Sequence, residues 1–137
     1  MIRILSVVAL ALIFSMQAHA SINLVCGSKS QGVGYFTLKS TRGAIVATAH
    51  DESCRMKTIP YNPRSGKYEG WGRVAPSDSC EAFAKAIGLT GDVTFLSLSA
   101  EALQGDEGFA QIGYVNTFDP GAGGELKNDL RCFVPKD

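Results

Sequence analysis

The chain has 137 residues, of which 13 are basic and 13 are acidic, so its formal net charge is zero. Hydrophobic residues make up 45% of the sequence, enough for a globular protein with a core. Lys and Arg form no cluster along it. The composition therefore argues against charge-driven binding to nucleic acid or to an anionic membrane surface.

Residues 1–20 have the pattern of a secretory signal peptide. Arg3 precedes an apolar run over residues 4–14, and the small-residue motif Ala18-His19-Ala20 offers a cleavage site. The run is shorter than the ~20 residues that a membrane-spanning helix needs, so we expect no span after cleavage. We predict a secreted or periplasmic protein whose residues 21–137 form a single domain with twelve basic and thirteen acidic residues.

Four cysteines remain after cleavage, and an even number in a small exported domain predicts two disulfides. Val25 before Cys26 argues against a lipid on that cysteine, because lipoprotein signals place a small residue there. Cys26 and Cys132 lie in strand-like segments near the two ends of the chain, whereas Cys54 follows a polar loop and Cys80 lies at a predicted helix start. Of the three possible pairings we therefore favour Cys26 with Cys132 and Cys54 with Cys80.

Alternation of apolar and polar residues with period two predicts strands along most of the mature chain. In chain order they cover residues 22–26, 34–40, 44–50, 55–61, 67–74, 92–102, 109–118 and 126–134. The last segment shows the pattern most clearly, with Leu126, Leu130, Cys132 and Val134 predicted to face inward and Lys127, Asp129 and Arg131 outward.

Residues 78–87 interrupt the alternation and predict one short helix. Asp78 is a candidate N-cap, Glu81 lies three residues later as in a capping box, and Gly88 follows as a C-cap. One helical face carries the apolar residues Cys80, Phe83, Ala84 and Ile87.

These elements predict a mainly β, antiparallel domain of about eight strands and one helix, stapled by two disulfides. The sequence allows either a small barrel or a two-layer sandwich. A barrel of eight strands is filled by side chains or has room for one small ligand.

Candidate catalytic residues are few, because His19 leaves with the signal peptide and His50 is then the only histidine. The stretch His50-Asp51-Glu52-Ser53 contains an acid, a base and a nucleophile, which raises the hypothesis of a small secreted hydrolase. The same composition is typical of a solvated turn. No spacing of His, Cys, Asp or Glu predicts a metal site, and no motif predicts a cofactor.

An aromatic residue gives the candidate binding site. Trp71 lies between two glycines, shares a strand face with Arg73, and has Tyr61 across the intervening turn. Aromatic residues beside an arginine are typical of binding hot spots and of sugar-stacking platforms. We predict a binding module that recognises a protein or a glycan through Tyr61, Trp71 and Arg73. The alternatives are that Trp71 is a lid on the core, and that the protein is a hydrolase or a structural envelope protein.

Overall fold

The computed structural model describes residues 21–58, 71–115 and 124–136. The predicted signal peptide and Tyr61 lie outside these ranges. Eight strands are described: β1 Asn23–Ser28, β2 Val33–Thr41, β3 Ala44–Ala49, β4 Glu52–Thr58, β5 Trp71–Pro76, β6 Phe95–Ser99, β7 Gly108–Val115 and β8 Gly124–Phe133. Two short helices, α1 Glu81–Ala86 and α2 Ala100–Leu103, follow β5 and β6, and a 3-10 turn, Lys29–Gln31, follows β1.

The eight strands form a closed antiparallel barrel. Each strand pairs with the next one along the chain, and β8 pairs with β1. This closure selects the barrel over the sandwich, and it leaves no free edge among the described strands. The antiparallel pattern of short strands was predicted from the sequence and is confirmed.

Side chains of the inward-facing residues fill the barrel, as expected for eight strands. Their alternation along each strand is the period-two pattern of the sequence. The inward residues are almost entirely inaccessible to solvent: Leu24, Cys26, Phe36, Leu38, Ala47, Cys54, Met56, Val74, Leu96, Leu98, Ala110, Ile112, Leu130 and Cys132.

The two helices pack at opposite ends of the barrel, because they precede and follow the same strand, β6. Phe83 of α1 makes an edge-to-face contact with Phe36, with ring centroids 5.7 Å apart. Leu103 of α2 packs against Gly72, where any added Cβ would collide with the leucine side chain. Burial of the predicted helical face, including Phe83 and Ile87, is confirmed.

Both disulfide pairings predicted from the sequence are confirmed, Cys26 with Cys132 and Cys54 with Cys80. The first joins β1 to β8 at directly opposed positions, with Cα atoms 4.1 Å apart. The second joins β4 to the residue that precedes α1. One disulfide therefore fastens the closure of the barrel and the other fastens the helix to its wall.

The predicted cap of α1 is wrong. The helix begins at Glu81 after Cys80, and no side chain of its own first turn caps it. Asp92, from the loop before β6, instead accepts two hydrogen bonds, each 2.8 Å long. One comes from the backbone N–H of Cys80 and the other from the hydroxyl of Ser79. A carboxylate twelve residues later in the chain therefore replaces the local capping box, which sequence spacing does not reveal.

The long strand predicted over residues 92–102 is shorter than expected. It ends at Ser99, whose hydroxyl accepts hydrogen bonds from the backbone N–H groups of Ala102 and Phe109. Serine is a favoured N-cap, so the chain turns into α2 at this point instead of continuing the strand.

The predicted inward face of β8 is right for Leu130 and Cys132 and wrong for Leu126 and Val134, which are about half exposed. A bulge explains the first error, because Ala110 and Ile112 of β7 pair with Leu130 and Lys127, leaving one extra residue in β8. One inserted residue reverses the alternation on its far side. Val134 is exposed because β8 ends one residue before it.

We predict that replacing Asp92 with Ala lowers the free energy of unfolding by about 1–2 kcal/mol, the typical cost of removing a helix cap. Asp92 accepts three hydrogen bonds that hold the start of α1 and the following backbone. Asp78→Ala is the matched control, and we expect it to change stability by less than about 0.5 kcal/mol because its side chain is exposed. Urea unfolding measures both, and equal losses would contradict this role for Asp92.

We also predict that the two disulfides differ in their contribution to stability. The sequence separation is 106 for Cys26 and Cys132, and 26 for Cys54 and Cys80. From chain entropy, we expect the free energy of unfolding to fall by about 4.8 kcal/mol when Cys26 and Cys132 are both replaced by Ala. The corresponding fall for Cys54 and Cys80 is about 3.5 kcal/mol. All four cysteines are buried, so the packing losses are comparable. Urea unfolding of the two double variants tests the order, and a larger loss for the shorter loop would contradict it.

Candidate ligand-binding face

The site predicted from the sequence is only partly described by the structure. Tyr61 lies outside the described residues. Trp71 is the first residue of β5, where its backbone pairs with Ser99, and its side chain is not among those described. Arg73 is half-buried, with its guanidinium 4.7 Å from the centre of the Phe95 ring. Arg73 therefore packs along the barrel wall, and its grouping with Tyr61 and Trp71 stays a prediction.

The candidate catalytic stretch lies at the exposed tip between β3 and β4. His50 has a positive φ of 54°, as turn residues often do, and its side chain is exposed together with those of Asp51 and Glu52. The Ser53 hydroxyl lies 3.3 Å from that of Thr48, across the hairpin. A nucleophilic serine needs its base as hydrogen-bond partner, and here that partner is a threonine. The turn interpretation of this stretch is the one its geometry supports.

A different surface carries exposed aromatic residues. We call it the Tyr35 face: it consists of Tyr35, Phe109, Arg131 and Phe133, with Glu107, Val134 and Lys136 along its margin. Four large hydrophobic side chains are exposed in the described part of the chain, and three of them, Tyr35, Phe109 and Val134, belong to this face. Their accessible fractions are 50%, 48% and 49%. The exposed apolar surface is therefore concentrated, not scattered.

Strand register assembles the Tyr35 face from four neighbouring strands. Phe109 of β7 opposes Arg131 of β8, and Arg131 opposes Gly27 of β1. Directly opposed residues of paired strands point to the same side of a sheet. Phe109 and Arg131 thus stand side by side on the outer wall, with Arg131 two strands and Phe109 three strands from Tyr35 in β2.

Tyr35 lies beside Gly27, on the same side of the sheet as Arg131, because β2 has a bulge. Between the pairs Cys26–Phe36 and Ser28–Val33 the register shifts by one residue, so that Gly34 and Tyr35 together oppose Gly27. The N–H of Gly34 leaves the strand ladder and donates a 2.9 Å hydrogen bond to the carbonyl of Ile87, just after α1. Bulges commonly re-aim a side chain, and this one directs Tyr35 outward over β1.

Gly27 is what allows the Tyr35 ring to lie close to the sheet. A Cβ added at Gly27 would stand 2.6 Å from the Cδ1 atom of Tyr35, which is too close for any side chain. The ring of Phe133 meets that of Tyr35 edge to face, with centroids 6.1 Å apart and planes at 73°. Tyr35 therefore lies close to the backbone of β1 and contacts the ring of Phe133.

Two shallow depressions of about 610 and 190 Å³ adjoin on the Tyr35 face and share Glu107 and Arg131 in their walls. Within the described part of the chain, no hydrogen bond or ion pair engages the Arg131 side chain. Its guanidinium is therefore available to a ligand, with five N–H donors in a planar arrangement. Lys136 adds a second cation and Glu107 an acceptor.

The Cys26–Cys132 disulfide lies directly beneath this surface. The two cysteines point into the barrel, and their neighbours Gly27, Arg131 and Phe133 form part of the outer wall. A covalent link between the two strands limits their relative movement. The aromatic rings thus lie on a support that the disulfide makes more rigid, and rigidity of this kind lowers the entropic cost at a binding surface.

Sequence reasoning missed the Tyr35 face, although the signal was in the alternation. The buried residues Phe36 and Cys132 imply that their neighbours Tyr35, Arg131 and Phe133 point outward. An aromatic residue at an outward position of a strand is the pattern to search for. The alternation does not predict the strand register, which places β2 and β8 on either side of β1.

The described residues contain no group of three or more His, Cys, Asp or Glu side chains placed to hold a metal ion. Among the same residues, no helix has the length and apolar character needed to cross a membrane. Comparison of the chain with protein-family models, with curated proteins and with solved structures finds no match.

Proposed function

We propose that this protein is an exported binding module that recognises a protein or glycan ligand through the Tyr35 face. The observation that carries the proposal is the concentration of exposed apolar side chains around one arginine on a disulfide-fastened wall. Tyr and Arg are among the residues that contribute most to binding energy in interfaces. The function is the one predicted from the sequence. The Tyr35 face is proposed as a site in addition to Tyr61, Trp71 and Arg73, whose grouping stays a prediction.

Exposed aromatic rings argue for a binding role because leaving them in water forgoes the stabilisation that burial provides. Full burial of a side chain the size of Phe is worth about 1.5–3 kcal/mol. Phe36 and Phe83 obtain it in the core, whereas Tyr35 and Phe109 remain about half exposed. Rings grouped on one surface are explained by a ligand that covers them.

Export is supported by two independent features of the chain. The signal-peptide pattern of residues 1–20 comes from the sequence. The two disulfides, with no free cysteine among the described residues, are typical of oxidising compartments. Their combination supports a secreted or periplasmic location.

The competing hypothesis is a hydrolase that uses His50. Its exposed position at a hairpin tip supplies no cleft to exclude water or to orient a substrate. This geometry favours recognition over bond cleavage as the proposed activity.

Variants of the Tyr35 face test the proposal. We predict that the immobilised mature protein retains a ligand from envelope or culture fractions, and that Tyr35→Ala and Arg131→Ala each retain much less of it. Removal of a central aromatic or arginine side chain typically weakens binding by about 2 kcal/mol or more, close to thirtyfold. Retained material is measured by mass spectrometry and by total carbohydrate analysis.

Two controls accompany this experiment. Leu126→Ala removes another half-exposed apolar side chain of β8 outside the Tyr35 face, and His50→Ala removes the candidate catalytic residue. Both are expected to retain the ligand as the wild type does. Loss of retention only in His50→Ala, or equal retention by all four variants, would overturn the assignment of the site.

A further inference from the structure

Helix α1 is anchored to the barrel at both of its ends. At its start, Cys80 is joined to Cys54 of β4, and the N–H of Cys80 donates a 2.8 Å hydrogen bond to Asp92. At its end, the carbonyl of Ile87 accepts a 2.9 Å hydrogen bond from the N–H of Gly34 in β2. A helix of six residues is too short to be stable alone in water, so α1 depends on these anchors and on its packing.

The end of α1 lies directly against the backbone of the turn between β1 and β2. A Cβ added at Gly88 would stand 2.6 Å from the carbonyl oxygen of Gly32. A Cβ added at Gly34 would stand 3.6 Å from the Cα atom of Ile87. A displacement of α1 therefore acts on the residues that immediately precede Tyr35.

Tyr35 follows Gly34 in the bulge of β2, and its ring lies too close to Gly27 for any side chain to fit there. The N–H of Gly34 bonds to the carbonyl of Ile87, so the shape of the bulge depends on where α1 ends. The position of Tyr35 is thus coupled to that of α1, and through α1 to the disulfide at the start of this helix.

The two disulfides differ in what must open before a reductant reaches them. Cys80 lies outside the strands, follows exposed residues 77–79, and is 5% exposed. Cys26 and Cys132 are 0% and 1% exposed, and paired residues of β1 and β8 flank them on both sides. Thiol–disulfide exchange requires access to a sulfur atom. Local opening of α1 uncovers Cys80, whereas the other disulfide is uncovered only when the barrel opens.

We infer that the Cys54–Cys80 disulfide is a redox-sensitive switch that sets the position of Tyr35 through α1. The oxidised form holds α1 and the bulge as described above. In the reduced form the start of α1 is released, and its end no longer holds the bulge of β2. The switch does not depend on the proposed function, because Tyr35 changes position whether or not a ligand covers it.

The reductant is a dithiol. One of its thiolates attacks the sulfur of Cys80, the bond between the two cysteine sulfurs breaks, and Cys54 leaves as a thiolate that takes up a proton. The second thiolate of the reductant then displaces Cys80 from the mixed disulfide, and Cys80 also takes up a proton. The dithiol is oxidised to a disulfide by two electrons, and both cysteines become thiols.

The first experiment identifies the disulfide that is reduced. The folded mature protein is treated with dithiothreitol, and thiols are alkylated at intervals and mapped by mass spectrometry. We expect Cys54 and Cys80 to be labelled about tenfold or more faster than Cys26 and Cys132, because local opening costs less than opening the barrel. Labelling of Cys26 and Cys132 first, or of all four cysteines together, would overturn the switch.

The second experiment follows Gly34 and Tyr35 by NMR in the variant Cys54→Ser with Cys80→Ser, which reproduces the reduced state. We expect hydrogen exchange of the Gly34 amide to be about tenfold or more faster than in the wild type. The nuclear Overhauser contact between the rings of Tyr35 and Phe133 is expected to weaken. Amides of β1 and β8 should exchange within about threefold of the wild type, because the barrel stays closed.

Cys26→Ser with Cys132→Ser is the matched control, and we expect it to accelerate exchange in β1 and β8 and to leave α1 unchanged. Uniform acceleration throughout the Cys54→Ser with Cys80→Ser variant would mean general destabilisation and would contradict the switch. Unchanged exchange at Gly34 with an unchanged contact between the Tyr35 and Phe133 rings would contradict it as well.

Gly88→Ala tests the link between α1 and the bulge with both disulfides intact, and it keeps the inference testable if the serine variants are unstable. The added methyl group collides with the carbonyl of Gly32, so we expect faster exchange at Gly34 and a weaker contact of the Tyr35 ring. Gly43→Ala is its control, because Gly43 also has a positive φ, of 69°, but has no atom within 4 Å of an added Cβ. Equal effects of the two variants on Gly34 and Tyr35 would overturn the coupling, whereas the proposed function stands or falls on the capture experiment.

Discussion

The pairing of β8 with β1 is the contact on which the rest of the structure depends. It brings together strands from the two ends of the described chain, at a sequence separation where loop closure costs the most entropy. The Cys26–Cys132 disulfide makes this closure covalent at a directly opposed pair. Everything placed on the outer wall at this point, including Arg131 and Phe133, has its position because these two strands meet.

Two irregularities in the strands then decide what the wall presents. The bulge in β2 turns Tyr35 outward over Gly27, and it is held by the hydrogen bond between Gly34 and Ile87. The bulge in β8 turns Leu126 away from the core, and its Asn128 carbonyl accepts a hydrogen bond from the Gln31 side chain. Each bulge is held by a hydrogen bond to a group outside its own strand pair. The helix after β5 therefore contributes to the position of Tyr35 as well as to the core.

Most strands of the barrel could be predicted from the sequence, because the alternation of apolar and polar residues is visible among close neighbours in the chain. Inward residues such as Leu24, Phe36 and Cys132 are recognisable from their own neighbours, and both disulfide pairs followed from their flanking segments. The errors arose where a distant group intervenes. Asp92 caps α1 from another loop, Ser99 ends β6 by capping α2, and one extra residue in β8 reverses the side of Leu126. The candidate site was missed for the same reason: Tyr35 and Arg131 are almost a hundred residues apart, and only the register of β1 with both its partners places them on one wall.

The closure of the barrel also separates the residues of its strands into an inward set and an outward set. Inward positions of β1, β2, β7 and β8 form the core, and outward positions of the same strands form the barrel surface. Because the two sets alternate along the backbone, an outward ring is replaceable without repacking any core neighbour. In the proposed function, a few outward side chains make the contact, and no strand edge is needed for it. A scaffold of this kind accepts single substitutions at outward positions such as Phe109 while its stability stays nearly constant.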